Sequence, residues 1–197
     1  MTPRALPVAG GDALAVFLSP PAVAPPAPRS RAARPPAGRP DAPALLMGVD
    51  IVECDRLARA MARGGEVFAR HVSTPDELTL GPGVAAFSVK ESLIKAVGVR
   101  PAGFSWHDFE ALPDRPPAWA AALLDEAAAE LADATGVSLT GGAAYAVRGA
   151  SARAAAVRLG PGVPVGAARW GESQGLFAAL AIVYARTVHA QEEGMPS

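Results

Sequence analysis

Phe87-Ser88-Val89-Lys90-Glu91-Ser92-Leu93-Ile94-Lys95-Ala96-Val97-Gly98 contains both lysines of the chain. The other sixteen basic side chains are arginines. Lysine is a compact, mobile point charge and arginine a planar fork, so the two are not interchangeable. A composition that uses arginine almost everywhere and keeps lysine only on either side of Glu91 sets this stretch apart. The spacing predicts a helix from Val84 to Val97, stopped by Gly98 and Pro101. In such a helix Glu91 and Lys95 are i,i+4 neighbours, and taken alone they read as an exposed ion pair worth about 0.3–0.5 kcal/mol.

A second stretch upstream changes that reading. Leu45-Leu46-Met47-Gly48-Val49-Asp50-Ile51-Val52 has the pattern of a buried strand interrupted by one acid. A carboxylate in such a run needs a partner or a metal, because an unpaired buried charge is costly. Backbone N–H groups at the strand end are the plainer way to satisfy it. A helix follows from Glu53 to Arg63, with Leu57, Ala60 and Met61 inward and Gly64-Gly65 as its stop. Arg56, Arg59 and Arg63 form one basic stripe along it, which by itself is a solvated face. Thr74-Pro75-Asp76-Glu77 has the form of a capping box, and Gly81-Pro82-Gly83 keeps its helix short.

Further on, Phe104 to Leu112 reads as a strand and Pro113 to Pro117 as a turn. Trp119 to Thr135 is an alanine-rich helix with Trp119, Leu123, Ala127 and Leu131 inward. Val137 to Thr140, Ala144 to Val147 and Ala154 to Leu159 are strand-sized pieces, and Leu176 to Ala185 reads as a central strand. Helices and strands alternate without a regular βαβ order, which predicts an α+β fold with a mixed sheet packed against helices.

Residues 1–43 hold eleven of the twenty prolines among Ala, Gly and Arg, a composition that predicts a disordered N-terminal segment. A folded domain is expected over 44–190 and a disordered tail over 191–197; Met47 is an alternative translation start. Residues 1–46 carry a net +3 and the remainder −4, which gives no basic footprint for nucleic acid. The single Cys54 excludes an intramolecular disulfide and a cysteine-based zinc site. His71, His107 and His189 lack metal-ligand spacing. The apolar run Ala13 to Leu18 is too short to span a bilayer or to make a good signal peptide, so the expected compartment is the cytoplasm, with no membrane partner.

In order along the chain, Gly48-Val49-Asp50-Ile51-Val52-Glu53, Arg56, Phe68, Arg70, Thr74-Pro75-x-Glu77 and Phe87-x-x-Lys90-Glu91-x-x-x-Lys95-Ala96-x-Gly98 resemble the 4′-phosphopantetheinyl transferase superfamily. The opening motif is most similar to its single-repeat holo-[acyl-carrier-protein] synthases. The resemblance implies Mg²⁺-dependent transfer of 4′-phosphopantetheine from coenzyme A to a serine of an apo acyl carrier protein, releasing adenosine 3′,5′-bisphosphate. It implies Asp50 and Glu91 as the metal-binding acids and Glu91 with Lys95 as the catalytic pair. Lys90, Lys95 and Ser173 would meet the coenzyme. For Lys90, phosphate contact and simple salt bridging stay open, and the serine proton goes either to water on the metal or to a carboxylate such as Glu91. Arg56, Arg59, Arg63 and Arg70 would dock an acidic carrier protein, and the coenzyme would lie between subunits of a homotrimer.

The chain also departs from the family pattern. Ala85-Ala86 stand where an arginine usually precedes the Lys-Glu motif, and Val52 stands where the larger two-repeat enzymes have a second acid. The late Ser-His pair is matched by Ser173-Gln174, or in another register by Ser138-Leu139-Thr140-Gly141. With the first register, residues 148–165 become an inserted mobile loop. A carrier-protein or coenzyme A binding module without turnover is the alternative function.

Overall fold

The computed structural model describes residues 44–79, 84–98 and 100–187; the segments expected at 1–43 and 191–197, and His189, lie outside them. Strand β1 (Leu45–Glu53) leads into α1 (Cys54–Val72), followed by α2 (Pro75–Thr79) and α3 (Val84–Val97). A 3₁₀ turn at Trp106–Asp108 precedes β2 (Phe109–Leu112), and then come α4 (Ala118–Thr135), β3 (Gly141–Val147), α5 (Gly149–Leu159), β4 (Val163–Ser173) and β5 (Leu176–Arg186). The α+β class is as expected. The five strands lie in the order β1-β5-β4-β3-β2 with all four pairings antiparallel, so the sheet is not mixed.

Strand β5 lies between β1 and β4 and is buried on both faces, which is why it reads as an unbroken apolar run. Phe177, Ala179, Ala181 and Val183 meet Val89, Leu93 and Val97 of α3 in one core. Leu180, Ile182 and Tyr184 point the other way and meet Ala120, Leu124 and Ala128 of α4. The inward face of α4 is therefore rotated by one residue from the expected one; Trp119 is 43% exposed, its ring edge-on to Tyr184 at 4.7 Å. An alanine-rich helix has small apolar residues all round, so periodicity alone fixes its orientation poorly. No helix of the described residues is long and apolar enough to cross a membrane.

Two glycines decide local placement. A Cβ on Gly48 would lie 2.1 Å from the Ser92 carbonyl oxygen and 2.4 Å from the Ala96 nitrogen. The backbone of β1 therefore rests directly on the backbone of α3. Gly149 opens α5 with φ +55°, and a Cβ there would lie 2.2 Å from Asp108 Oδ1. The buried Asp108 accepts the Ser151 N–H at 2.9 Å, capping α5 from a different part of the chain. Residues 154–159 are thus helical rather than a strand, and the stretch 148–165 is α5 and the start of β4 rather than a loop. The expected strand at Phe104 to Leu112 shrinks to Phe109–Leu112, and Val137 to Thr140 is irregular. Helix α1 continues past its expected stop, with a kink at Gly65 (φ 51°, ψ −143°) in place of an end.

The capping box forms. Thr74 N–H donates to Glu77 Oε2 at 2.8 Å, and Glu77 N–H reaches Thr74 Oγ1 at 3.4 Å. Glu77 does more than cap α2. It accepts Lys90 Nζ at 2.7 Å and the Ala111 N–H at 2.9 Å, joining α2, α3 and the outer edge of β2. Lys90 is fully buried and also donates to the Val72 carbonyl at 2.8 Å. Burial pushes the Glu77 carboxyl up, but the bonds from Lys90, Thr74 and Ala111 outweigh it and hold it below its ordinary value. Burial pulls the Lys90 ammonium below its usual range against the attraction of Glu77.

Gly48→Ala is expected to cost about 3 kcal/mol, the upper end of overpacking penalties because the clash is with backbone; urea unfolding measures it, and a cost below about 1 kcal/mol would show that the two backbones are not in contact. Glu77→Gln leaves Lys90 without its counter-charge and should cost about 3–5 kcal/mol. Because the folded-state pKa of Glu77 is depressed, its contribution is complete above the ordinary 4.5 and is lost as pH falls through the lower folded value. Thermal melts across acid pH should therefore show a shallower acid limb in Glu77→Gln than in the parent; an unchanged slope would contradict the assignment.

Candidate active site

Asp50 follows Gly48 by two residues, so it points to the same face of β1, toward α3. There Ser88 Oγ donates to Asp50 Oδ2 at 2.5 Å and Lys95 Nζ to Oδ1 at 2.7 Å. The Asp50 side chain is 12% exposed and that of Lys95 49%. Ser88, Glu91 and Lys95 recur at i, i+3 and i+7, one face of α3. The i,i+4 ion pair suggested by the sequence is not the one that forms: Lys95 turns to Asp50, and Glu91 pairs with Arg100. Nor is Asp50 satisfied in the plainer way, since its partners are a hydroxyl and an ammonium.

Asp50, Glu91 and Lys95 line one cleft of about 300 Å³. Asp50, Glu91 and Lys95 form its polar wall; Val52, Leu57, Phe68 and Phe87 supply apolar surface, and Arg56 stands at the α1 side. Among the described residues no three His, Cys, Asp or Glu side chains gather closely enough to cage a metal. Two carboxylates in one cleft still fit Mg²⁺, which is commonly held by one or two protein carboxylates together with substrate phosphates and waters. They do not suit a structural zinc, which needs four protein ligands.

Lys90 does not belong to the cleft. Residues five apart on a helix sit about 140° apart around its axis, so Lys90 and Lys95 face different surroundings. Of the two roles left open for Lys90, the geometry has the salt bridge, with its ammonium enclosed between Glu77 and Val72. The spacing of the two lysines already contained that distinction. Ser173 is also apart from the cleft. It ends β4 opposite Leu176, beside the turn formed by Gln174 (φ 52°) and Gly175 (φ 78°). The Cys54 N–H donates to Gly175 O at 2.8 Å, which ties that turn to the start of α1.

Arg56, Arg59 and Arg63 are exposed along the first part of α1, and Arg70 lies beyond the kink, paired with the exposed Glu66 at 2.6 Å. His107 Nε2 lies 3.0 Å from the Arg70 carbonyl oxygen.

Three contributors escape a reading of the sequence. Ser88 is unremarked in the motif, although its i+3 relation to Glu91 puts it on the cleft face. Gly48 is recognisable only once its contact with α3 is known. Arg100 lies outside the helix, where no periodicity flags it; its guanidinium carbon sits 5.2 Å from the Trp106 ring centre and 5.6 Å from that of Phe104.

A holo-[acyl-carrier-protein] synthase of Maridesulfovibrio salexigens is 38% identical over 72 residues, 32% of this chain and 58% of that protein. One from Vibrio atlanticus is 35% identical over 99 residues, 46% of this chain and 78% of that protein. The matches to the first of these relatives thus span about three fifths of their length. Among solved structures, the ACPS–CoA complex of Chronobacterium ammoniagenes aligns with a TM-score of 0.47 at 20% identity, over 73% of this chain and 99% of that one. Residues 46–147, just over half of the chain, match the model of one family. The chain belongs to the 4′-phosphopantetheinyl transferase superfamily.

Proposed function

We propose that this protein transfers 4′-phosphopantetheine from coenzyme A to a serine of an apo acyl carrier protein, in a Mg²⁺-dependent reaction. The observation that carries the reading is the convergence of Asp50, Glu91 and Lys95 on one cleft beside an arginine-bearing helix. Family membership and relatives named holo-[acyl-carrier-protein] synthase support the same chemistry. Asp50 and Glu91 would hold Mg²⁺, which when bound screens the pyrophosphate and polarises its phosphoryl oxygens.

The rest falls to the chain's own groups. Ser88 fixes one oxygen of Asp50 and leaves the carboxylate oriented. Lys95 is half exposed and mobile enough to follow charge onto the attacked phosphate or the leaving group. In the transfer, the serine oxygen bonds to phosphorus and the bond from that phosphorus to the adenosine bisphosphate breaks. The serine proton passes to a base in the cleft, for which Glu91 is the candidate carboxylate. Arg56, Arg59, Arg63 and Arg70 present positive charge to the acidic carrier. Residues 44–190 form the transferase domain in this reading, active in the cytoplasm as a homotrimer, preceded by segment 1–43 and followed by tail 191–197. Ala85-Ala86 in place of the family's arginine, Gln174 in place of its late histidine and the helix cut short at Gly81-Pro82-Gly83 favour the second reading, a carrier-protein or coenzyme A binding module without turnover.

Asp50→Ala and Glu91→Ala should each lower Mg²⁺-dependent kcat/KM by at least about a hundredfold, the scale of losing metal-centred charge stabilisation. The circular dichroism of both variants should stay native, and full activity in both would remove the metal assignment. Arg59→Glu with Arg63→Glu should raise the KM for the carrier protein and leave kcat unchanged. The effect should shrink as salt rises, as screened surface attraction requires. A KM insensitive to both charge reversals would leave the arginines as an ordinary solvated face.

A further inference from the structure

Both carboxylates of the cleft already carry a cation. Lys95 neutralises Asp50 at 2.7 Å, and Arg100 neutralises Glu91. The two pairs differ in how the cation is held. Lys95 is on α3, the same helix as Glu91. Arg100 lies past the end of α3, 52% exposed, its guanidinium resting on Trp106 and Phe104. Those rings belong to a row that runs back into the cleft: Trp106 packs on Phe87 at 5.2 Å, and Phe87 on Phe68 at 5.6 Å. Phe87 and Phe68 line the cleft itself.

We propose that Arg100 is an anion-binding residue held in reserve by Glu91, so that a divalent cation and the pyrophosphate of the coenzyme bind cooperatively. The proposal rests on the transferase reading above. A divalent cation at Glu91 competes with the guanidinium for the same carboxylate. Once displaced, Arg100 keeps its aromatic support and stays beside the cleft with its donors unpaired. A planar fork of N–H groups suits phosphate oxygens, which it can bind in bidentate fashion. In the reverse order, an anion that draws Arg100 away uncovers Glu91 for the cation. The coupling is reciprocal, as linkage demands.

Isothermal titration of the full chain with Mg²⁺ alone, and with coenzyme A in EDTA or in saturating Mg²⁺, tests this. In the parent protein, Mg²⁺ should tighten coenzyme A binding about tenfold, within the usual range of coupling between sites. Arg100→Gln should bind Mg²⁺ alone more tightly, because its competitor is gone, and bind coenzyme A in Mg²⁺ about tenfold more weakly. Arg100→Lys should fall between the two. The opposite signs are the signature, since damage to the local fold would weaken both ligands. Both affinities falling together in Arg100→Gln, or neither moving, overturns the proposal and leaves the transferase reading standing. Absence of coenzyme A binding by the parent protein overturns the transferase reading and the proposal with it.

Discussion

The backbones of β1 and α3 touch at Gly48, and the candidate site depends on that contact. With any larger residue the strand would be held off the helix by at least a methyl group. Asp50, two residues along, would then lose its place against Ser88 and Lys95. The contact also explains why one helix can serve both core and site. Val89, Leu93 and Val97 bury one side of α3, while Glu91 and Lys95 open onto the cleft and the buried Ser88 holds Asp50 beneath it. The alternation of β5 closes the arrangement, with Phe177, Ala179, Ala181 and Val183 packed under α3 and the opposite face under α4.

The two lysines illustrate how one sequence motif divides between stability and chemistry. Lys90 faces inward, where its charge is compensated by Glu77, and Glu77 in turn fastens α2 and the β2 edge. Lys95 faces outward, half exposed, where a charge can move with a reacting phosphate. Removing an ion from water is costly enough that only the paired, hydrogen-bonded lysine is tolerated inside. The buried pair therefore fixes the rotation of α3, which decides that Lys95 and Glu91 point into the cleft.

Most of the site was legible because its residues announce themselves locally. Helix α3 has its amphipathic spacing and its Gly98 stop, and α2 has Thr74, Pro75 and Glu77 in the order of a capping box. An acid in the apolar run of β1 calls for a partner. The parts that were not legible are fixed by groups distant in sequence. Helix α5 lacks a cap of its own and borrows Asp108, so its alanine-rich stretch looks like strand or loop. Arg100 acquires its role from Glu91, Phe104 and Trp106, and it stands in a segment that is not helical, so no helical periodicity links it to them. For Ser173, a correct reading of the β5 strand does not bring the serine into the cleft, because it ends β4, which β5 separates from β1.

The central claim is that this cleft transfers a phosphopantetheine group and does not merely bind it. The most direct measurement is the intact mass of an apo acyl carrier protein after incubation with the protein, coenzyme A and Mg²⁺. The account predicts a gain of one 4′-phosphopantetheine group per carrier, release of adenosine 3′,5′-bisphosphate in equal amount, and loss of both when EDTA is added. An unmodified carrier, from a protein that demonstrably binds coenzyme A under the same conditions, would contradict it.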